Sequence, residues 1–145
     1  MEQLQSGRPM TAFKKEKIAD MLENVRCKKP LVHCITNYVT AGVSANALLA
    51  VGASPIMACD ICEVSCVASL SKALVINMGT LTCETLKSMT AAGKRSNELG
   101  RPVILDPVGV GASPFRLTAA RKLMSDIHFS VVRGNVSEIK ALFCG

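Results

Sequence analysis

The chain has no tryptophan, one tyrosine and four phenylalanines, an aromatic content of 3%. That scarcity excludes a stacking platform for single-stranded nucleic acid, which needs aromatic faces beside basic residues. Its basic runs, Lys14, Lys15 and Lys17 around Glu16, then Arg26, Lys28 and Lys29, stand near the N-terminus without an aromatic platform for stacking bases. The net charge of +6 therefore reads as a solvated surface, and no nucleic-acid partner is expected. Charged residues are few as well, at 19%, which excludes intrinsic disorder as the main state. The 10 glycines and 6 prolines follow no fixed period, so collagen-like and low-complexity classes are excluded. A length of 145 residues suits one domain, or part of one.

The seven cysteines are an odd number, and residues 1–17 lack the apolar core of a secretory leader. A disulfide framework is not expected, and a reducing cytoplasm is the expected compartment. No Asp, Glu, Lys or Arg occurs from Leu31 to Cys59. A stretch of that length could span a bilayer, which takes ~20 apolar residues. It carries His33, Asn37, Asn46 and Pro55, however, and reads as a buried helix with flanking strands, so no membrane partner is expected.

Residues 1–10 read as a flexible tail, and residues 11–145 as one unit without repeat or linker. Residues 11–26 show helical spacing of Ile18, Leu22 and Val25. Strands are expected at Leu31–Cys34, Pro55–Ala58, Ala73–Asn77, Pro102–Leu105 and His128–Val132. Helices are expected at Val39–Ala50 (buried, ended by Gly52), Asp60–Leu70, Thr82–Leu99, Ser113 to about Ser125, and Asn135–Phe143. Ser113-Pro114 reads as an N-cap followed by proline in the first turn, and Asn135 with Glu138 as a capping box. A leading helix and five strand–helix units in strict alternation, with continuously apolar strands, predict an α/β fold. Its parallel sheet carries helices on both faces in three layers.

Ligands of such sheets sit at the carboxyl ends of the strands. Here those ends carry Thr36-Asn37, Met57-Ala58, Asn77-Met78-Gly79-Thr80, Asp106-Pro107-Val108-Gly109-Val110-Gly111 and Arg133-Gly134-Asn135, followed by Glu138. Glycines let backbone N–H groups approach phosphate oxygens, and an arginine offers a forked donor to them. Two carboxylates can hold Mg²⁺. Taken singly, Asp106 is a turn residue before Pro107 and Glu138 a capping partner; at adjacent strand ends the pair reads as a cation and phosphate corner. GxxxxGK[ST] does not occur, and Gly109-Val110-Gly111 is only half of a dinucleotide fingerprint.

Five blocks then stand in a familiar order and spacing: Pro30-Leu-Val-His-Cys-Ile-Thr-Asn37; Asn46 through Ser54-Pro55-Ile-Met57-Ala58; Asn77-Met-Gly-Thr-Leu81; Leu105-Asp-Pro-Val-Gly-Val-Gly-Ala112; and Arg133-Gly-Asn-x-Ser-Glu-Ile139. Together they resemble the hydroxyethylthiazole kinases. The resemblance implies a ribokinase-like fold and a trimer with active sites between subunits. It implies transfer of the γ-phosphate of ATP, with Mg²⁺, to 4-methyl-5-(2-hydroxyethyl)thiazole in thiamine biosynthesis and salvage. On the matching positions it implies that Met57, Asn37, Gly79 and Thr80 line the substrate pocket, that Arg133 binds ATP, and that Asp106 and Glu138 stand near the metal. Outside that block Met57 would read as an ordinary core methionine.

The resemblance covers about the N-terminal half of the family's length, and the family's catalytic cysteine belongs to the other half. No catalytic residue is therefore assigned, and none of the seven cysteines takes that role. The expectation is a fold truncated after five strand–helix units. Its alternative function is a non-catalytic remnant or assembly module that binds thiazole, nucleotide or a full-length partner. Cys59, Cys62 and Cys66 have zinc-like spacing but no fourth ligand, and read instead as small apolar residues on one buried helix face.

Overall fold

A computed structural model describes residues 15–144. The expected tail over residues 1–10, and the start of the first expected helix, lie outside the described residues. The elements run α1 (Lys15–Lys28), β1 (Leu31–Ile35), α2 (Ala41–Val51), β2 (Ser54–Ile56), α3 (Val64–Leu70), β3 (Ala73–Asn77), α4 (Cys83–Glu98), β4 (Val103–Asp106), a 3₁₀ turn (Val110–Ala112), α5 (Pro114–Asp126), β5 (Val131–Val132) and α6 (Val136–Cys144). The five strands form one parallel sheet in the order β2-β1-β3-β4-β5.

Register explains the core. His33 pairs with Leu74, Leu74 with Val103, Ile76 with Leu105, and these side chains share one face. That face is covered by α3, α4, α5 and α6 and holds the large cluster of Ile35, Leu74, Ile76, Met78, Met89, Val103, Leu105, Leu123 and Leu142. Val32 and Cys34 point to the opposite face, where Val25 of α1 and Leu48 of α2 cover them. Helices therefore lie on both faces, but unevenly. Ile104, on the second face, is only half-buried, and Val131 is exposed.

The helix ends follow local chemistry. Thr82 caps α4 by accepting from the Thr85 N–H at 3.1 Å, and Ser113 Oγ accepts from Arg116 N–H before α5, with proline in its first turn. Asn135 and Glu138 form the expected capping box: Asn135 N–H to Glu138 Oε2 and Glu138 N–H to Asn135 Oδ1, each 2.9 Å.

Four expectations are corrected. Helix α2 forms, but none of its residues is buried; Val43 is 71% exposed and Leu49 58%. Hydropathy shows that a helix is apolar all round, not which of its sides meets a partner. Helix α3 begins four residues later than expected, because Asp60 turns the chain first: its Oδ1 accepts from Cys62 N–H at 2.8 Å. Cys59 and Cys62 precede the helix and Cys66 lies on it, all three exposed, so they do not share one buried helix face. No group of three or more metal-holding side chains occurs among the described residues. Strand β5 shrinks to two residues because the Asn97 side chain takes both backbone groups of His128.

Gly93 of α4 lies against α5's end, where a Cβ would stand 2.7 Å from Ile127 Cγ1 and closer still to its Cδ1. Gly93→Ala is expected to lower the unfolding free energy by about 1–3 kcal/mol in urea titration. Gly42→Ala, with open space around it, leaves the midpoint nearly unchanged. Equal midpoints for the two variants would contradict this packing.

Candidate functional site

Of the residues singled out by sequence, Asn37, Gly79, Asp106 and Arg133 gather at the carboxyl ends of β1, β3, β4 and β5 through one chain of hydrogen bonds. Asn77, the last residue of β3, pairs in register with Asp106, the last of β4. Asn77 Nδ2 donates to Asp106 Oδ2 at 3.1 Å. Its Oδ1 then accepts from Asn37 Nδ2 at 2.8 Å and from Gly79 N–H at 2.9 Å. Asn37 Oδ1 accepts from Thr40 N–H at 2.9 Å, before α2. From the other side Arg133, just after β5, donates Nη1 to the same Asp106 Oδ2 at 2.8 Å.

Burial grades along this chain. Asn37 is buried, the Asp106 side chain is 13% exposed and Arg133 is 76% exposed. An ion pair with one partner so exposed contributes little to stability, about 1 kcal/mol or less. The guanidinium is thus free to exchange its partner, while the amides beneath it are fixed. Gly79 is needed at this place: a Cβ there would stand 2.6 Å from Asn37 Cβ and 2.8 Å from its Nδ2.

A second corner forms beside it. Gly109, at φ +67°, opens the turn after β4, a conformation that favours glycine. Its N–H donates to Glu138 Oε1 at 3.0 Å. Both Glu138 oxygens therefore hold backbone N–H groups, Gly109 on one and Asn135 on the other. Thr80 follows Gly79 in the same loop, half-buried.

Met57 stands apart from both of these groups. It follows the edge strand β2 and is 37% exposed. Its loop is tied down one residue later, where fully buried His33 makes a 2.8 Å hydrogen bond between Nε2 and the Ala58 carbonyl. With an oxygen acceptor there, Nε2 carries the proton, and buried Nδ1 has no partner.

Two residues to which sequence assigned no role matter here. Asn77 is the hub; its signal was a lone amide closing the apolar run Ala73–Ile76. Arg116, in the first turn of α5, donates to the carbonyls of Met78 (2.6 Å), Val108 (3.0 Å) and Gly79 (2.5 Å). Its signal was a cation at a helix N-terminus, where the dipole disfavours it, so that it must find partners elsewhere. Burial pushes the Cys34 thiol up to about 11, and the Asp60 carboxylate raises Cys62, so neither is an activated thiol.

Comparison with known proteins bears on this geometry. The sequence profile of the hydroxyethylthiazole kinase family matches residues 22–144. A hydroxyethylthiazole kinase of Clostridium beijerinckii is 57% identical over 124 residues, 86% of this chain and 45% of that protein. One from Desulfovibrio desulfuricans is 53% identical over 130 residues, 90% and 44%. The solved structure of a hydroxyethylthiazole kinase protein from Pyrococcus horikoshii superposes with a TM-score of 0.84 at 46% identity, covering 88% of this chain and 50% of that one. The chain thus spans about half the length of the relatives it matches.

Burial lowers the pKa of His33 below the ordinary 6.5, more than its bond to Ala58 and the Glu63 charge raise it. The unfolded chain therefore takes up a proton more readily than the folded one as pH falls. The stability that neutral His33 contributes is full above pH 6.5 and is lost as pH drops below it. Thermal midpoints should fall between pH 7 and about pH 5 in the wild type and fall less in His33→Gln; parallel slopes would contradict the assignment.

Proposed function

Because the chain belongs to the hydroxyethylthiazole kinase family, we propose that residues 11–145 form the N-terminal part of a single ribokinase-like kinase domain. That domain phosphorylates 4-methyl-5-(2-hydroxyethyl)thiazole from ATP in thiamine biosynthesis. The observation that carries the reading is the chain Asn37–Asn77–Asp106–Arg133, which puts an exposed guanidinium and an ordered set of donors at the strand ends. Phosphoryl transfer to an alcohol asks the protein chiefly for positioning and charge neutralisation.

In this reading Arg133 leaves Asp106 for a phosphate of ATP, a forked donor meeting a larger negative charge. Asn37, Gly79 and Thr80 contact the substrate, and Met57 provides a soft, adaptable wall for a sulfur heterocycle. A Mg²⁺ ion fits the donor set through Asp106, since both side-chain bonds fall on Oδ2 and leave Oδ1. Glu138, with both oxygens on backbone N–H groups, would meet that ion through water. When bound, Mg²⁺ neutralises charge on the phosphates. The chain's own residues order the nucleotide and exclude other geometries.

A homotrimer is part of the proposal, supported by the apolar residues that α2 and the preceding turn expose: Tyr38, Val39, Val43 and Leu49. The same residues favour a second reading, a non-catalytic module that joins a full-length partner. A cytoplasmic location is supported by seven free cysteines. No helix among the described residues is long and apolar enough to cross a membrane.

The test is mass-spectrometric detection of thiazole phosphate from the purified chain with hydroxyethylthiazole, ATP and Mg²⁺, beside ATP affinity by calorimetry. Arg133→Ala is expected to weaken ATP binding at least about tenfold, roughly 1.4 kcal/mol. Its unfolding free energy should stay within about 0.5 kcal/mol of wild type, as befits an exposed side chain. Unchanged ATP affinity in the variant would sink the role. A folded wild type that binds ATP and thiazole without product would favour the second reading.

A further inference from the structure

Arg116 deepens the proposed function, on which this inference rests. Its guanidinium reaches three carbonyls on two different loops: Met78 and Gly79 after β3, and Val108 after β4. No cis peptide occurs among the described residues. In a trans peptide the N–H points opposite to the carbonyl, so gripping a carbonyl also aims the N–H of the next residue.

Two of the three peptide units report where their N–H groups go. With the Met78 carbonyl on Arg116, the Gly79 N–H points away and meets Asn77 Oδ1 at 2.9 Å. With the Val108 carbonyl on Arg116, the Gly109 N–H points away and meets Glu138 Oε1 at 3.0 Å. The third unit follows the same rule. The Gly79 carbonyl faces Arg116, so the Thr80 N–H faces away from it.

We infer that Arg116 is a positioning residue. It fixes the planes of peptides 78–80 and 108–109 and so presents the Thr80 N–H as a hydrogen-bond donor to a substrate oxygen at the strand ends. That oxygen belongs to a phosphate group or to the acceptor alcohol; the shared chemistry is an oxygen that needs a donor. An ammonium would not serve in its place. A guanidinium spreads its donors across a rigid plane wide enough for carbonyls on two loops, whereas a lysine head is one compact charge. A site residue set in this way needs no rearrangement when substrate arrives, which is how fixed donors act most strongly on developing charge.

The experiment uses the 145-residue chain as wild type and Arg116→Lys, with Arg116→Gln as the substitute where the lysine variant does not fold. Amide hydrogen exchange is followed by NMR without ligand. Exchange at Gly79 and Gly109 is expected to quicken at least tenfold in the variant, while Ala92 in the middle of α4 keeps its wild-type rate. A general loss of stability would instead quicken all three. Affinities for ADP and for hydroxyethylthiazole are then measured separately. A tenfold or greater loss for ADP assigns the Thr80 donor to a phosphate oxygen, and the same loss for the thiazole assigns it to the alcohol. Unchanged exchange at Gly79 and Gly109 overturns the inference, as does altered exchange with both affinities intact. Wild-type protein that binds neither ligand overturns the proposed function and the Thr80 donor together. The exchange rates then still decide whether Arg116 orients the peptides.

Discussion

One oxygen, Oδ2 of Asp106, accepts from Asn77 and from Arg133, and the direction of the hydrogen bonds at the strand ends follows from it. Because that oxygen already accepts from a guanidinium, Asn77 must turn its NH₂ toward it. The Asn77 carbonyl oxygen is then left facing Asn37 and the Gly79 N–H. Asn37 must in turn offer its NH₂, which leaves its oxygen for the Thr40 N–H ahead of α2. Neither amide can flip without opposing donor to donor. Strand register makes this possible, since Asn77 and Asp106 are partners in the ladder and their side chains leave the sheet on the same side.

The weights of these bonds differ in a useful way. The buried end near Asn37 is costly to break, because a polar group left unpaired there loses about 1–3 kcal/mol. The outer end at Arg133 is solvated and contributes at most about 1 kcal/mol. A site with a fixed base and a loosely held cation at its mouth suits an anionic ligand that must exchange. The glycines match this division. Gly79 stands where any Cβ would push Asn37 aside, and Gly109 keeps the turn after β4 close enough for Glu138 to hold it.

Much of this arrangement was legible in the sequence. Apolar runs without alternation foretold a parallel sheet, and the polar residues closing several of those runs are the ones that the structure links by hydrogen bonds at the strand ends. Asn135 and Glu138 announced their capping box by spacing alone. What escaped were contacts between segments distant in the chain. Arg116 lies 37 and 38 residues from two of its carbonyl partners, and nothing local requires that pairing. Burial escaped for the same reason: Ala41–Val51 is apolar, yet hydropathy does not record which surface covers it. Asp60 shows the limit of helical periodicity, because a side chain that bonds its own backbone can delay a helix by a turn.

The central claim is that Asn77 couples Asn37 to Asp106, and a double-mutant cycle on unfolding free energy tests it most directly. Asn37→Ala, Asp106→Ala and the double variant would be compared by urea denaturation. Coupling between the two positions of about 0.5–3 kcal/mol is predicted, since Asp106→Ala strands the Asn77 Nδ2 while Asn37→Ala removes one of the two donors that hold its Oδ1. Additivity within about 0.3–0.5 kcal/mol would contradict the chain and, with it, the ordered strand-end site.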